Sequence, residues 1–145
     1  MINSFVFNTT PSIRFGAGII DDIGNTLSGM ATTILVITDQ GMVATGLVNR
    51  LTDALKAASL NVHIYADVVA DPPEHIVHDA TAAARQTGVD LIVGFGGGSS
   101  LDVAKLVALL VPGHQDLAAA YGVGNAQGPR LPLVLIPTTA GTGSE

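Results

Sequence analysis

Gly94-Phe95-Gly96-Gly97-Gly98-Ser99-Ser100-Leu101-Asp102-Val103-Ala104-Lys105 decides how this chain is read. The apolar run Val89 to Val93 before it predicts a buried strand, and Leu101 to Leu110 after it predicts a helix. Strand, glycine turn and helix together bring backbone amides up to a phosphate. Three adjacent glycines let the backbone approach a ligand with no Cβ in the way. Ser99 is placed to cap the helix, with Asp102 three positions on as its capping-box partner. The glycines do not follow the G-x-G-x-x-G dinucleotide spacing, because Ser99 stands where the last glycine belongs, and no Gly-Lys-Ser/Thr ends the turn. The stretch therefore predicts a phosphate cradle without naming the nucleotide.

Working outward, strands alternate with helices. Ser12 to Phe15 and Phe5 to Phe7 read as two short strands of a hairpin, and Ile19 to Leu27 as a short helix. Thr32 to Thr38 is a β-branched strand, and Gly41 to Ala58 a helix with Val43, Leu47, Leu51 and Leu55 at helical spacing. Val62 to Tyr65 is a strand, Glu74 to Thr87 a helix, Leu117 to Tyr121 a short helix, and Leu133 to Ile136 a further strand. This order predicts βαβ units and a parallel sheet, with ligands at the C-terminal strand edge. Three segments fall at that edge: Asp39-Gln40-Gly41, Gly96 to Ser99, and Thr138 to Thr142.

Composition agrees. Of 145 residues, 48% are apolar and 12% charged, in strand-length and helix-length pieces. That suits one domain whose sheet is buried on both faces, and no apolar run is long enough to span a membrane. A net charge of −6 with only six Lys and Arg argues against a nucleic-acid partner. The absence of cysteine removes thiolate catalysis, disulfides and cysteine metal sites. Met1 to Phe7 carries no signal-peptide pattern, so the cytoplasm is the expected compartment.

The candidate residues each have two readings. Asp39 either accepts the hydroxyls of an adenosine ribose, favouring NAD over NADP, or caps the helix that follows. Thr138, Thr139 and Thr142, among glycines, form either a second neutral cradle or a self-bonded turn. Asp102 and Lys105 pair as helical neighbours, or Lys105 reaches the phosphates. His75 and His78 share a helix face with Glu74 and Asp79, which a solvated surface explains better than a metal site. His63 and His114 are isolated. No triad, nucleophile elbow or metal-ligand cluster emerges.

Two long motifs in order, Gly96 to Lys105 and Pro137-Thr138-Thr139-Ala140-Gly141-Thr142-Gly143-Ser144-Glu145, resemble the N-terminal half of the iron-containing (group III) alcohol dehydrogenases. Ile13-Arg14-Phe15-Gly16-Ala17-Gly18 resembles that family's opening segment. The resemblance implies an α/β fold: a Rossmann-like parallel sheet with flanking helices, of the dehydroquinate synthase-like kind, spanning 1–145. It implies that Asp39 meets the adenosine ribose. Gly96, Gly97, Gly98, Ser99 and Asp102 fall in the pyrophosphate motif, and Thr138, Thr139 and Thr142 in the second cofactor loop. Asp71 matches a corner near the cofactor that usually carries Asn. The reaction implied is hydride transfer between an alcohol and NAD, with Fe2+ or another divalent metal polarising the oxygen. The family's metal ligands lie in a helical C-terminal domain that has no counterpart in this sequence. The expectation is therefore a nucleotide-binding part that is inactive alone and belongs to a homo-oligomer. Maleylacetate reductase, glycerol dehydrogenase and hydroxyacid–oxoacid transhydrogenase share these loops and stay open as alternatives. So does a non-catalytic nucleotide-binding module; a flavodoxin-like phosphoacceptor domain would leave both loops without a purpose.

Overall fold

The computed structural model describes residue 4 and residues 10–145. Its centre is a four-stranded parallel sheet: β1 (Thr33–Ile37), β2 (Asn61–Tyr65), β3 (Leu91–Gly96) and β4 (Leu133–Pro137), in spatial order β2-β1-β3-β4. The two middle strands are near-continuous apolar runs, as covering on both faces demands. Ile34, Leu35, Val36 and Ile37 are buried, and so is every residue of β3. The outer strands β2 and β4 stay partly exposed.

Helices cover both faces. On one lie α1 (Ile23–Leu27), α2 (Gln40–Ala44) and α3 (Leu47–Ala57), packing Leu27, Met42, Val48, Leu51 and Leu55 against Ile34, Val36, Leu91 and Val93. On the other lie α4 (Glu74–Thr87) and α5 (Gly98–Leu110), packing Ile76, Ala80, Val103 and Val107 against Leu35, Ile37 and Ile92. Each fully buried Leu, Ile or Val contributes roughly 1.5–3 kcal/mol. Chain winding therefore reverses between β1 and β3, which is where an open α/β sheet leaves a crevice. Arg85 on α4 donates to the carbonyls of Leu110 (2.5 Å) and Val111 (3.1 Å), satisfying the C-terminal end of α5.

Several expectations shift. The helix expected over 41–58 is two helices, because Gly46 turns left-handed (φ 77°) between α2 and α3. Residues 12–16 form no strand; Ile13 and Phe15 are exposed, with no partner strand among the described residues. The other half of that hairpin, Phe5 to Phe7, lies outside the described residues. The segment expected as one helix over 19–27 begins as a 3-10 turn, Ile19–Asp22, before α1. Strand β3 runs two residues later than its apolar start and extends to Gly96, because its last residues pair with β4. The short helix α6 (Leu117–Ala120) ends one residue early.

Two contacts hold the sheet's geometry. At one end, Asp90 accepts from the N–H groups of Thr32 (2.9 Å) and Thr33 (2.9 Å) and from the Thr32 hydroxyl (2.7 Å), locking the start of β1 beside that of β3. Partial burial opposes its ionisation, but these bonds outweigh it and hold its carboxyl below the ordinary 3.8. In mid-sheet, α5 sits so close to β3 that a Cβ on Gly94 would lie 2.7 Å from the Ala104 Cβ and 3.0 Å from Leu135 Cδ2.

Gly94→Ala is expected to lower stability by about 1–3 kcal/mol in urea unfolding, the range for overpacking a tight core. Gly29→Ala, which meets nothing within 4 Å, is expected to be near neutral. A depressed folded-state pKa adds stability above the unfolded value and loses it as pH falls. Wild type minus Asp90→Asn stability, measured by denaturation across pH, should therefore shrink as pH drops through and below 3.8.

Candidate functional site

The parallel topology brings the C-terminal ends of β1, β2 and β3 to one edge. There they enclose an open cleft of about 620 Å³. Three short segments line it: Asp39 to Gly41 after β1, Ala66 to Ala70 after β2, and Gly97 to Ser100 after β3. Among the described residues, no Lys, Arg or His contributes to its wall.

The glycine turn differs from its expected shape. The helix starts at Gly98, so Gly98 and Ser99 belong to the first turn of α5, and extended Gly97 (φ −80°, ψ −176°) is the N-cap. Ser99 is therefore not the cap, and Asp102 does not complete a capping box. No side chain caps this end. The N–H groups of the first turn lack intrahelical partners, and the helix dipole places about half a positive charge there. Gly96 supplies the approach. Its φ of 148° suits glycine, and a Cβ would press on Ser100 Oγ (2.9 Å) and Asp39 Oδ2 (3.2 Å).

Asp39 does cap a helix. Its Oδ1 accepts from the Met42 N–H at 2.9 Å, starting α2, while Oδ2 faces the Ser100 hydroxyl at 3.4 Å. It also lines the cleft. Beyond β2, Asp67 forms an isolated antiparallel bridge with Asp39. Tyr65, just before, donates its hydroxyl to the Ile76 carbonyl (3.3 Å). Burial raises its pKa, and the charges of Asp79 and Asp67 add to this.

The second loop folds back over the first. Thr138 N–H bonds to the Gly96 carbonyl (2.9 Å), extending the ladder. Thr139 lies 3.8 Å from the position a Gly97 Cβ would take; Thr142 Cβ lies 3.5 Å from that of Gly98. The clip is Ser144, buried, whose hydroxyl donates to Asp102 Oδ2 at 3.1 Å. The other oxygen of Asp102 pairs with Lys105 at 2.8 Å, so the helical pairing holds.

Of the sequence candidates, Asp39, Gly97, Gly98 and Ser99 line the cleft. Gly96, Asp102, Thr138, Thr139 and Thr142 shape or cover its α5 side without lining it. Asp71 does not line it; it is exposed, left-handed at φ 47°, immediately before Pro72. Sequence reasoning missed Asp67, Ser100 and the clip at Ser144. The rule that strand ends carry ligands would have found Asp67, had it been applied to β2. His75 and His78 are exposed, and among the described residues no group of three or more His, Asp or Glu side chains is placed to hold a metal. No described helix is long and apolar enough to cross a membrane.

A sequence model of the iron-containing alcohol dehydrogenase family matches residues 10–145. The chain belongs to the iron-containing alcohol dehydrogenase family. It is 42% identical over 140 residues to long-chain-alcohol dehydrogenase 1 of Geobacillus thermodenitrificans, covering 93% of this chain and 35% of that protein. It is 34% identical to the NAD-dependent methanol dehydrogenase of Bacillus methanolicus, covering 100% of this chain and 38% of that one. The crystal structure of an iron-containing alcohol dehydrogenase superposes with a TM-score of 0.86 at 31% identity, over 99% of this chain and 40% of that one. Sulfoacetaldehyde reductase from Bifidobacterium kashiwanohense, solved in complex with NAD+, gives a TM-score of 0.80 at 30% identity, over 98% of this chain and 38% of that one. The chain thus spans little more than a third of the length of these relatives.

Asp39→Ala is expected to lower stability by about 1 kcal/mol, as loss of an N-cap does, whereas Asp39→Ser should retain most of it. Thermal unfolding of the two variants separates the capping duty from any effect on ligand.

Proposed function

We propose that this chain forms the NAD-binding part of a metal-dependent dehydrogenase acting on small alcohols and aldehydes. The observation that carries this reading is the uncapped N-terminus of α5, opening at the β1/β3 reversal between the Asp39 segment and the threonine loop. The pyrophosphate belongs over Gly97, Gly98 and Ser99, where first-turn N–H groups and the helix dipole favour an anion. The space above Gly98 is limited by Ser144 and Thr142, so a cradle that a side chain would fill is present. The adenosine ribose belongs on the acidic wall, where a carboxylate accepts hydroxyl hydrogens.

When bound, NAD supplies the hydride acceptor; the residues described here bind and orient it. Thr139 and Thr142 flank the glycine turn and narrow it. Ser144, held by Asp102, keeps the threonine loop against α5. The described residues do not assemble a metal-ligand set. The names of the relatives, including alcohol and methanol dehydrogenases and a lactaldehyde reductase, support the substrate class.

Calorimetric titration of the 145-residue chain is expected to give saturable NAD binding and weaker NADP binding. Gly98→Val should abolish both, because its Cβ would stand 3.2 Å from Ser144 Oγ and its methyl groups would enter the cradle. A folded wild-type chain that binds neither nucleotide would overturn the reading.

A further inference from the structure

Asp67 and Asp39 lie directly opposite one another in their isolated antiparallel bridge. Opposed residues of such a pair have Cα atoms about 4.5–5.5 Å apart and side chains on the same side. Both line the same cleft as the α5 N-terminus. Their situations differ. Asp39 is committed, with one oxygen on the Met42 N–H and the other facing Ser100. Asp67 is exposed, and among the described residues its carboxylate has no hydrogen-bond or ion-pair partner. Its acceptor capacity is open to a ligand, and no cation on the cleft wall offsets its charge.

We propose that Asp67 is a second determinant of nucleotide choice. With Asp39 it makes a two-carboxylate wall that accepts the hydroxyls of an unphosphorylated ribose and repels a 2′-phosphate. This rests on the assignment of the cleft to a dinucleotide. Within it, the work is divided: Asp39 chiefly holds the loop after β1 in place, and Asp67 brings an uncommitted charge to the ligand. A phosphate dianion beside two carboxylates feels both, so removing either should relax the exclusion.

The test is paired titration of NAD and NADP into the full 145-residue chain, as wild type, Asp67→Asn, Asp67→Ser and Asp67→Glu, at low and at raised salt. Wild type should prefer NAD. Asn and Ser should each narrow that preference by about tenfold, mainly through tighter NADP binding, as expected for loss of one unit charge near a phosphate. Glu should keep the preference, and raised salt should shrink the difference between wild type and Asn. A purely structural role for Asp67 would weaken both nucleotides together and would not respond to salt. Unchanged NAD:NADP ratios in both neutral variants, with wild-type melting temperatures and intact NAD binding, would overturn the proposal and leave the dinucleotide reading standing. Failure of the folded wild type to bind NAD would overturn both.

Discussion

The seating of helix α5 on strand β3 is the constraint on which the ligand edge depends. Gly94 and Ala104 meet where two ordinary side chains would not fit, and Leu135 closes the same gap from β4. The apolar side of α5 is buried almost along its length, through Leu101, Ala104, Val107 and Ala108. Drawn this close, the helix begins within two residues of the strand's end. The connection is too short to wander, so the first-turn amides are fixed relative to the sheet. A bulkier residue at 94 would push the helix outward and move the anion cradle with it.

That placement sets up an electrostatic contrast. A helix N-terminus attracts negative charge, yet two carboxylates line the same cleft. These are compatible only if the ligand's anionic and hydroxyl-bearing parts are separated along the cleft. A dinucleotide placed as proposed has that arrangement, with its pyrophosphate toward the glycine turn and its ribose toward the carboxylates. A free inorganic phosphate would gain from the helix and lose to the carboxylates. On the proposed reading, acidity in the cleft would select the shape of the ligand as well as its charge.

The sequence displayed much of this. Alternating apolar runs gave the parallel sheet, because doubly buried strands such as β1 and β3 need apolar residues on both faces. The glycine stretch and the threonine loop were legible as a convergent pair, because parallel topology sends every strand's C-terminal end to one edge. The start of α5 was not legible. Ser99 satisfies the capping pattern by spacing, but the helix already begins at Gly98, with extended Gly97 as its N-cap. The break in the helix after β1 was hidden for a similar reason. Val43, Leu47 and Leu51 keep helical spacing across Gly46, and spacing alone does not reveal a left-handed residue. Asp67 was hidden because its partner in the bridge is 28 positions earlier in the chain, a relation that only strand order supplies.

The distribution of helix caps carries a last argument. Asp39 caps α2, a helix of five residues, while the 13-residue α5 has no side-chain cap at the cleft. Local stability alone would favour the reverse. Glycine at an N-cap gives up only a few tenths of a kcal/mol against Ser or Asp, whereas an apolar residue there costs about 1 kcal/mol. Gly97 therefore leaves the first-turn amides available at little cost. A side-chain cap would occupy one of those amides and stand where the proposed phosphate would approach. An anion that binds there takes over the cap's role, and its binding stabilises the folded chain by about 2.7 kcal/mol at a hundredfold excess over Kd. On the proposed reading, the ligand would stand where the long helix has no cap of its own.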